Sequence, residues 1–354
     1  MKKVLLASSA LVAGAAFAAP AMAADGEIVW SAWTQFHVSS TGVDSDSAGV
    51  GGDTNKGVDF NTNSEIALDY SATADNGLTY GLHIELEADQ NTSNNSDENH
   101  IFLEGDFGRV ELGDQDSAAD RLMVSGSSVG FQFGMYGNYT GSVLYNTGYT
   151  GSGAGARTAA DLNDSSDDTK ITYFTPTFNG FKAGVSFAPD SDTGNSVSGS
   201  GTGVDNHFDA GINYSGNFND FSIDAGLVAA TEERSAAGSD DVTYIGVGGG
   251  LMVGYAGFSA AVGYIHDDFE DADEVDTIDV GLAYTTGPWS ASIGAAWSER
   301  DVDNGSDIEF TAYSAGVGYQ IAPGLSTWVA GTVGEYENFA EDFTNVQAGV
   351  AVSF

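Results

Sequence analysis

The chain has 354 residues, with 51 acidic against 10 basic side chains and a formal net charge of −41. So anionic a chain is repelled by phosphates, which excludes nucleic acid as a partner, and the absence of cysteine excludes disulfide scaffolds and thiolate metal sites. At 42% hydrophobic residues it is too apolar for disorder, and a mean hydropathy of −0.12 without a long apolar run beyond the N-terminal segment excludes a helical membrane bundle.

Residues 1–23 read as a secretory signal. A cationic head, Met1-Lys2-Lys3, precedes an apolar stretch from Val4 to Ala18 that is too short to span a bilayer. Ala21-Met22-Ala23 is a small-x-small cleavage site, and cutting after Ala23 leaves residues 24–354 as the mature chain. The protein is therefore expected outside the cytoplasm.

From there the sequence alternates with period two. Trp289, Ala291, Ile293, Ala295 and Trp297 share one face of a strand, and Ser290, Ser292, Gly294 and Ala296 share the other. The two tryptophans stand roughly 26 Å apart at ~3.3 Å per residue. Tilted by about 40°, that spans roughly 20 Å of height, near the apolar band of a membrane barrel with an aromatic at each interface. The same alternation marks 78–86, 181–187, 221–227, 258–264, 278–284 and 346–354. The second face carries Asp, Glu, Lys, Gly and Ser, which suits a wet lumen better than the filled core of a sandwich.

Sixteen strands are predicted, at 26–38, 60–71, 77–88, 99–106, 108–115, 168–177, 180–188, 206–215, 219–230, 241–254, 257–267, 275–286, 288–299, 307–320, 324–334 and 342–354. Short turns such as Asp106-Phe107-Gly108 and Thr286-Gly287-Pro288 alternate with long connections at 39–59, 89–98, 116–167, 189–205, 231–240, 268–274, 300–306 and 335–341. That rhythm is an up-and-down antiparallel transmembrane barrel, with short turns on the periplasmic side and long loops outside. The expected fold class is all-β.

The long loops are acidic, as in Asp267-Asp268-Phe269-Glu270-Asp271-Ala272-Asp273-Glu274. They read as a solvated anionic surface, or as oxygen-rich sites for divalent cations that bridge to lipopolysaccharide. Asp301, Asp303 and Asp307 open a calcium-like run, but its glycine sits one position early and no glutamate closes it. Structural calcium is a candidate there; no other cofactor is expected.

Residues 116–167 form a connection too long to be a plain turn. Its middle, SVGFQFGMYGNYTGSVLYNTGY, is aromatic and glycine-rich without alternation. An external loop is normally more polar, so folding into the barrel is expected.

The stretch HIFLEGDFGRVELGDQDSAADRL at 100–122, together with the terminal Phe354 after AGVAVS, resembles general porins of the Gram-negative outer membrane, especially those of alphaproteobacteria. The resemblance implies a 16-stranded barrel in which 116–167 is the constriction loop. It also implies a homotrimer set among outer-membrane lipid and lipopolysaccharide, and passive diffusion of small hydrophilic solutes. The PEFGG-type motif of enterobacterial constriction loops is absent, with GFQFGMYG in that region. Pore diameter therefore does not follow from the resemblance.

Parity assigns the lumen charges. Val110 and Leu112 face out, so Arg109 and Glu111 face in; Ile171 and Val185 face out, so Lys170 and Lys182 face in. The same rule places Glu65, Asp69, Glu85, Glu87, Glu104, Asp209, Asp224 and Asp279 inside. The loop adds Asp114, Asp116, Asp120 and Arg121 at its root and Arg157 near its end. The resemblance implies basic wall residues (Arg109, Lys170, Lys182) opposing acidic loop residues (Asp116, Asp120). With acids in excess, cation preference is expected.

Catalytic motifs are unconvincing. Gly126-Ser127-Ser128-Val129-Gly130 matches G-x-S-x-G without the strand and helix that motif needs. His37, His83, His100, His207 and His266 show no H-E-x-x-H spacing and read as barrel-wall or interface residues rather than ligands. An enzyme is not expected. The other readings are a non-conducting surface or adhesion barrel and a substrate-specific porin.

Overall fold

The computed structural model describes residues 26–45, 54–88, 96–129, 158–190, 203–235, 242–270, 273–301, 307–337 and 341–354. The signal-like segment, Arg157, Asp303 and the loop middle at 130–157 lie outside the described residues.

The described residues form sixteen strands: β1 (Glu27–Ser45), β2 (Thr54–Thr73), β3 (Thr79–Glu87), β4 (Ser96–Gly105), β5 (Gly108–Asp114), β6 (Thr169–Phe174), β7 (Phe181–Asp190) and β8 (Gly203–Phe218), followed by β9 (Phe221–Ser235), β10 (Val242–Tyr255), β11 (Phe258–Phe269), β12 (Glu274–Thr286), β13 (Trp289–Asp301), β14 (Ile308–Ala322), β15 (Leu325–Glu337) and β16 (Glu341–Ser353). Each pairs antiparallel with its sequence neighbours, and β16 pairs with β1 to close the barrel. At the seam the Phe354 N–H donates to the Ala32 carbonyl at 3.1 Å, and the Ala32 N–H returns a bond of 3.3 Å. Closure leaves no strand edge for lipid to meet, the condition under which a sheet can span a bilayer.

Alternation is plain in β12. Ile278, Val280 and Leu282 are exposed on the outer face, whereas Thr277, Asp279 and Gly281 are buried on the inner one. Two aromatic belts ring the outside. At the short-turn end Phe258 meets Tyr284 with ring centroids 4.4 Å apart, Trp289 meets Tyr319 at 4.6 Å and Phe221 meets Tyr255 at 4.6 Å. Toward the long-loop end Phe187 meets Phe208 at 4.5 Å and Trp297 meets Tyr313 at 6.2 Å. Amphipathic rings at both ends of an apolar band mark the two membrane interfaces.

Several strands are longer than alternation suggested. The connection expected at 39–59 is largely strand, since Ser39 through Val43 pair with residues 54–59. β9 likewise runs to Ser235, inside the connection expected at 231–240. Above the bilayer both faces of a hairpin are wet, so the backbone ladder continues after the apolar pattern ends.

Candidate functional site

The segment after β5 turns into a short helix, α1 (Ala118–Leu122), and a 3-10 turn at Gly126–Ser128. Ser117 caps α1 by accepting the Asp120 N–H at 3.0 Å, while its own hydroxyl donates to Asp164 at 2.8 Å. The Ala118 N–H donates to Ser186 on β7 at 2.7 Å. Ala118, Ala119 and Leu122 bury against Phe174, Val228, Ala230, Tyr244 and Ile265, with Ala159 and Leu162 from the returning end of the connection. Their strand partners belong to the inner face, so the described ends of the connection lie against the inside of the wall.

Glycines make that approach possible. A methyl group at Gly226 would lie 2.3 Å from the Leu122 carbonyl oxygen, and one at Gly250 would lie 1.9 Å from that of Val124. Further along, the Gly126 and Ser127 N–H groups donate to the two oxygens of Asp279 at 2.6 and 3.2 Å. On the returning side Ser165 donates from its hydroxyl and its backbone to Asp209 at 2.6 and 3.3 Å. Asp209 and Asp279, inward by parity, thus receive loop backbone rather than line open water.

A basic sector lies on β5, β7 and α1. Arg109 donates to Glu111 and, at 3.1 Å, to Glu104, and its guanidinium stacks 3.8 Å over the Phe102 ring. Arg121 donates to both oxygens of Glu111, which is fully buried. Arg121 and Lys182 flank Phe174, at 4.5 and 4.4 Å from its centroid. Glu111 is therefore the hinge of a charge-assisted cluster whose arginines are already committed.

An acidic sector lies beside it, on β2–β4 and the loop root. Carboxylate oxygens of Glu98, Asp116 and Asp167 lie within 4.8 Å of one another. At that separation two charges repel by about 1 kcal/mol in water and about 3 kcal/mol at an effective dielectric near 20. Burial, with Asp116, Asp164, Asp167 and Asp161 nearby, pushes the Asp120 carboxyl up to about 7. Burial, with Asp116, Asp97 and Glu98, likewise pushes Asp167 up to about 7. Asp168 is pushed up to about 6, first by burial, against the pull of Lys170. Asp116 and Asp164 rise for the same first cause.

Lys170 departs from its expected place. It is 3% exposed and its ammonium donates to the carbonyls of Gln115 and Ser166. It pairs directly with Gly113 on β5, beside the loop root, so it pins the root instead of facing it across the lumen. Asp114 accepts from Thr169. Asp301 and Asp307 are exposed, at the ends of a connection whose Asp303 is outside the described residues. The sequence reading missed Glu98, which parity with His100 and Phe102 would have placed inside. It also missed the pairing of the 161–168 acids with the loop root, which no local spacing reveals.

Comparison with known proteins agrees with this architecture. The family model described as Gram-negative porin (Porin_4) matches residues 7–340. Among solved structures, the anion-selective porin from Comamonas acidovorans superposes with a TM-score of 0.64 at 16% identity, over 93% of this chain and 100% of that one. OmpT of Vibrio cholerae in its trimer form gives 0.63 at 13% identity (93% and 99%), and the outer membrane channel DcaP of Acinetobacter baumannii 0.64 at 14% (93% and 97%). An uncharacterized protein of Rickettsia conorii is 29% identical over 159 residues, 39% of this chain and 35% of that protein. The match thus spans about a third of that relative's length. The chain belongs to the Gram-negative porin family and is an integral β-barrel of the outer membrane.

Proposed function

We propose that the barrel conducts small hydrophilic solutes and ions passively and prefers cations. The observation that carries this reading is the imbalance between the two sectors. Arg109 and Arg121 spend their charge on Glu111 and Glu104, and Lys170 is buried under backbone carbonyls. The carboxylates of Glu98, Asp116 and Asp167 crowd one another instead. Negative charge in excess over its neighbouring cations, in a narrow aqueous passage, concentrates the counter-ion, here a cation. The loop root that carries it lies against the wall, where it narrows the passage.

Assembly as a homotrimer is part of the same reading, supported by the trimer form of Vibrio cholerae OmpT. The acidic outer connections suit divalent cations bridging to lipopolysaccharide. No step requires a catalytic residue. Planar-bilayer recording of the purified protein across a KCl gradient tests the proposal. Stepwise conductance in triplets, with a reversal potential favouring K⁺, supports it. Folded protein that inserts without conducting would mark a closed surface barrel, and Cl⁻ preference would refute the charge assignment.

A further inference from the structure

Asp69 on β2, His83 on β3 and His100 on β4 stand in one register row of the inner wall, each opposite the next. The His83 Nδ1 lies 2.8 Å from Asp69 Oδ1. That contact occupies Nδ1 and leaves Nε2, whose proton a bound metal ion would displace, on the other side of the ring. There Nε2 faces Glu85 Oε2 at 3.2 Å and Glu98 Oε2 at 3.7 Å. Ligand atoms bound at 2.0–2.1 Å around a tetrahedral ion stand about 3.3 Å apart. The two distances from Nε2 bracket that spacing, and the three ligand atoms all lie within 4.8 Å of one another.

A second observation is independent of these carboxylates. His100 is 7% exposed, and its Nδ1 has no hydrogen-bond partner. It points at the same Glu98 Oε2 from 3.8 Å, while its ring stacks on His83 with centroids 5.3 Å apart. A buried imidazole nitrogen without a partner is costly, and a bound cation removes that cost.

We propose that His83, Glu85 and Glu98, with His100 beside them, bind a divalent transition-metal ion of the Zn²⁺ class on the channel wall. Two imidazoles select such an ion over Ca²⁺ and Mg²⁺, which take oxygen ligands. Asp69 is a positioning residue, the carboxylate behind a metal-bound histidine. Glu98 couples the site to the loop, because its other oxygen accepts the Asp116 N–H at 3.4 Å. An ion held there places two positive charges beside the acidic sector and lowers its attraction for cations.

The test reads retained metal, so it does not depend on whether the channel conducts. The full detergent-solubilised protein is stripped with chelator. It is then dialysed against micromolar Zn²⁺ in excess Ca²⁺, which saturates oxygen-only sites, and analysed for zinc. About one Zn²⁺ per chain is expected, lost in His83→Gln. Asp69→Asn, which keeps every ligand, should weaken binding about 10–100-fold. X-ray absorption of the zinc-loaded protein should show imidazole scattering, a signature that adsorption on surface acids lacks. Heat-shifted gel mobility reports whether each variant is folded, and His100→Gln serves if His83→Gln is not. Zinc retained equally by wild type and the folded histidine variants, or no zinc above the Ca²⁺-competed background, overturns the proposal and leaves His83 as a hydrogen-bonded wall residue only.

Discussion

Two neighbouring sectors of the inner wall treat charge in opposite ways. Around Glu111, Arg109 and Arg121 are held by directional bonds and stacked on Phe102 and Phe174, so their charge is local and satisfied. Around Glu98, carboxylates from β4 and from both ends of the long connection converge within 4.8 Å of one another and outnumber the cations near them, Lys170 and Arg121. The lesson is that a residue count does not set a pore's field. Charges locked in buried pairs act on the fold, and uncompensated ones act on the solute.

The comparison breaks most severely at Glu111→Gln. Both arginines lose their shared carboxylate inside a buried cluster. Removing one partner of a buried pair costs about 3–5 kcal/mol. The arginines keep 28% and 32% exposure, which screens the loss, so about 1–3 kcal/mol is expected. Thermal unfolding followed by gel mobility should show a clearly lower midpoint, and an unchanged midpoint would mean the cluster is not a structural hinge.

Next in size is Gly226→Ala. The new methyl collides with the Leu122 carbonyl, so α1 must lift from the wall. Overpacking of this kind costs about 1–3 kcal/mol, here borne by loop docking rather than by the barrel. Single-channel recording should show altered and more variable conductance with the barrel's thermal midpoint retained. Wild-type traces from this variant would detach the loop from the passage.

The smallest effect is that of pH. Asp120 and Asp167, pushed up to about 7, hold protons in the docked loop that a released loop would lose at ordinary carboxylate values. Docking is therefore firmest below about pH 4 and weakens as pH rises toward 7. Acidification across the upper part of that window also removes negative charge. The K⁺ preference should thus fall as pH drops from about 7.5 to 5.5, more shallowly in Asp120→Asn. A preference that grows on acidification would contradict this sign.

The barrel was legible because lipid and water impose period two on each strand, as Trp289 through Trp297 display. Its upper edges were not, since hairpins such as β1–β2 keep their ladder where neither face meets lipid. Parity placed Arg109, Glu111 and Lys182 on the inner face. It was silent on contacts made by the loop, so Asp209, Asp279 and Lys170 read as lumen charges although loop backbone occupies them. His83 and His100 carried no motif, because their row is assembled from three strands and exists only once the register is set.

The central claim is that the loop-root carboxylates set ion preference. Its most direct test is the reversal potential across a KCl gradient for the Asp116→Asn, Asp167→Asn double variant beside wild type. The account predicts stepwise conductance in both and a clear loss of K⁺ preference in the variant. Equal reversal potentials, with both proteins conducting, would contradict it and assign selectivity to charges elsewhere in the lumen.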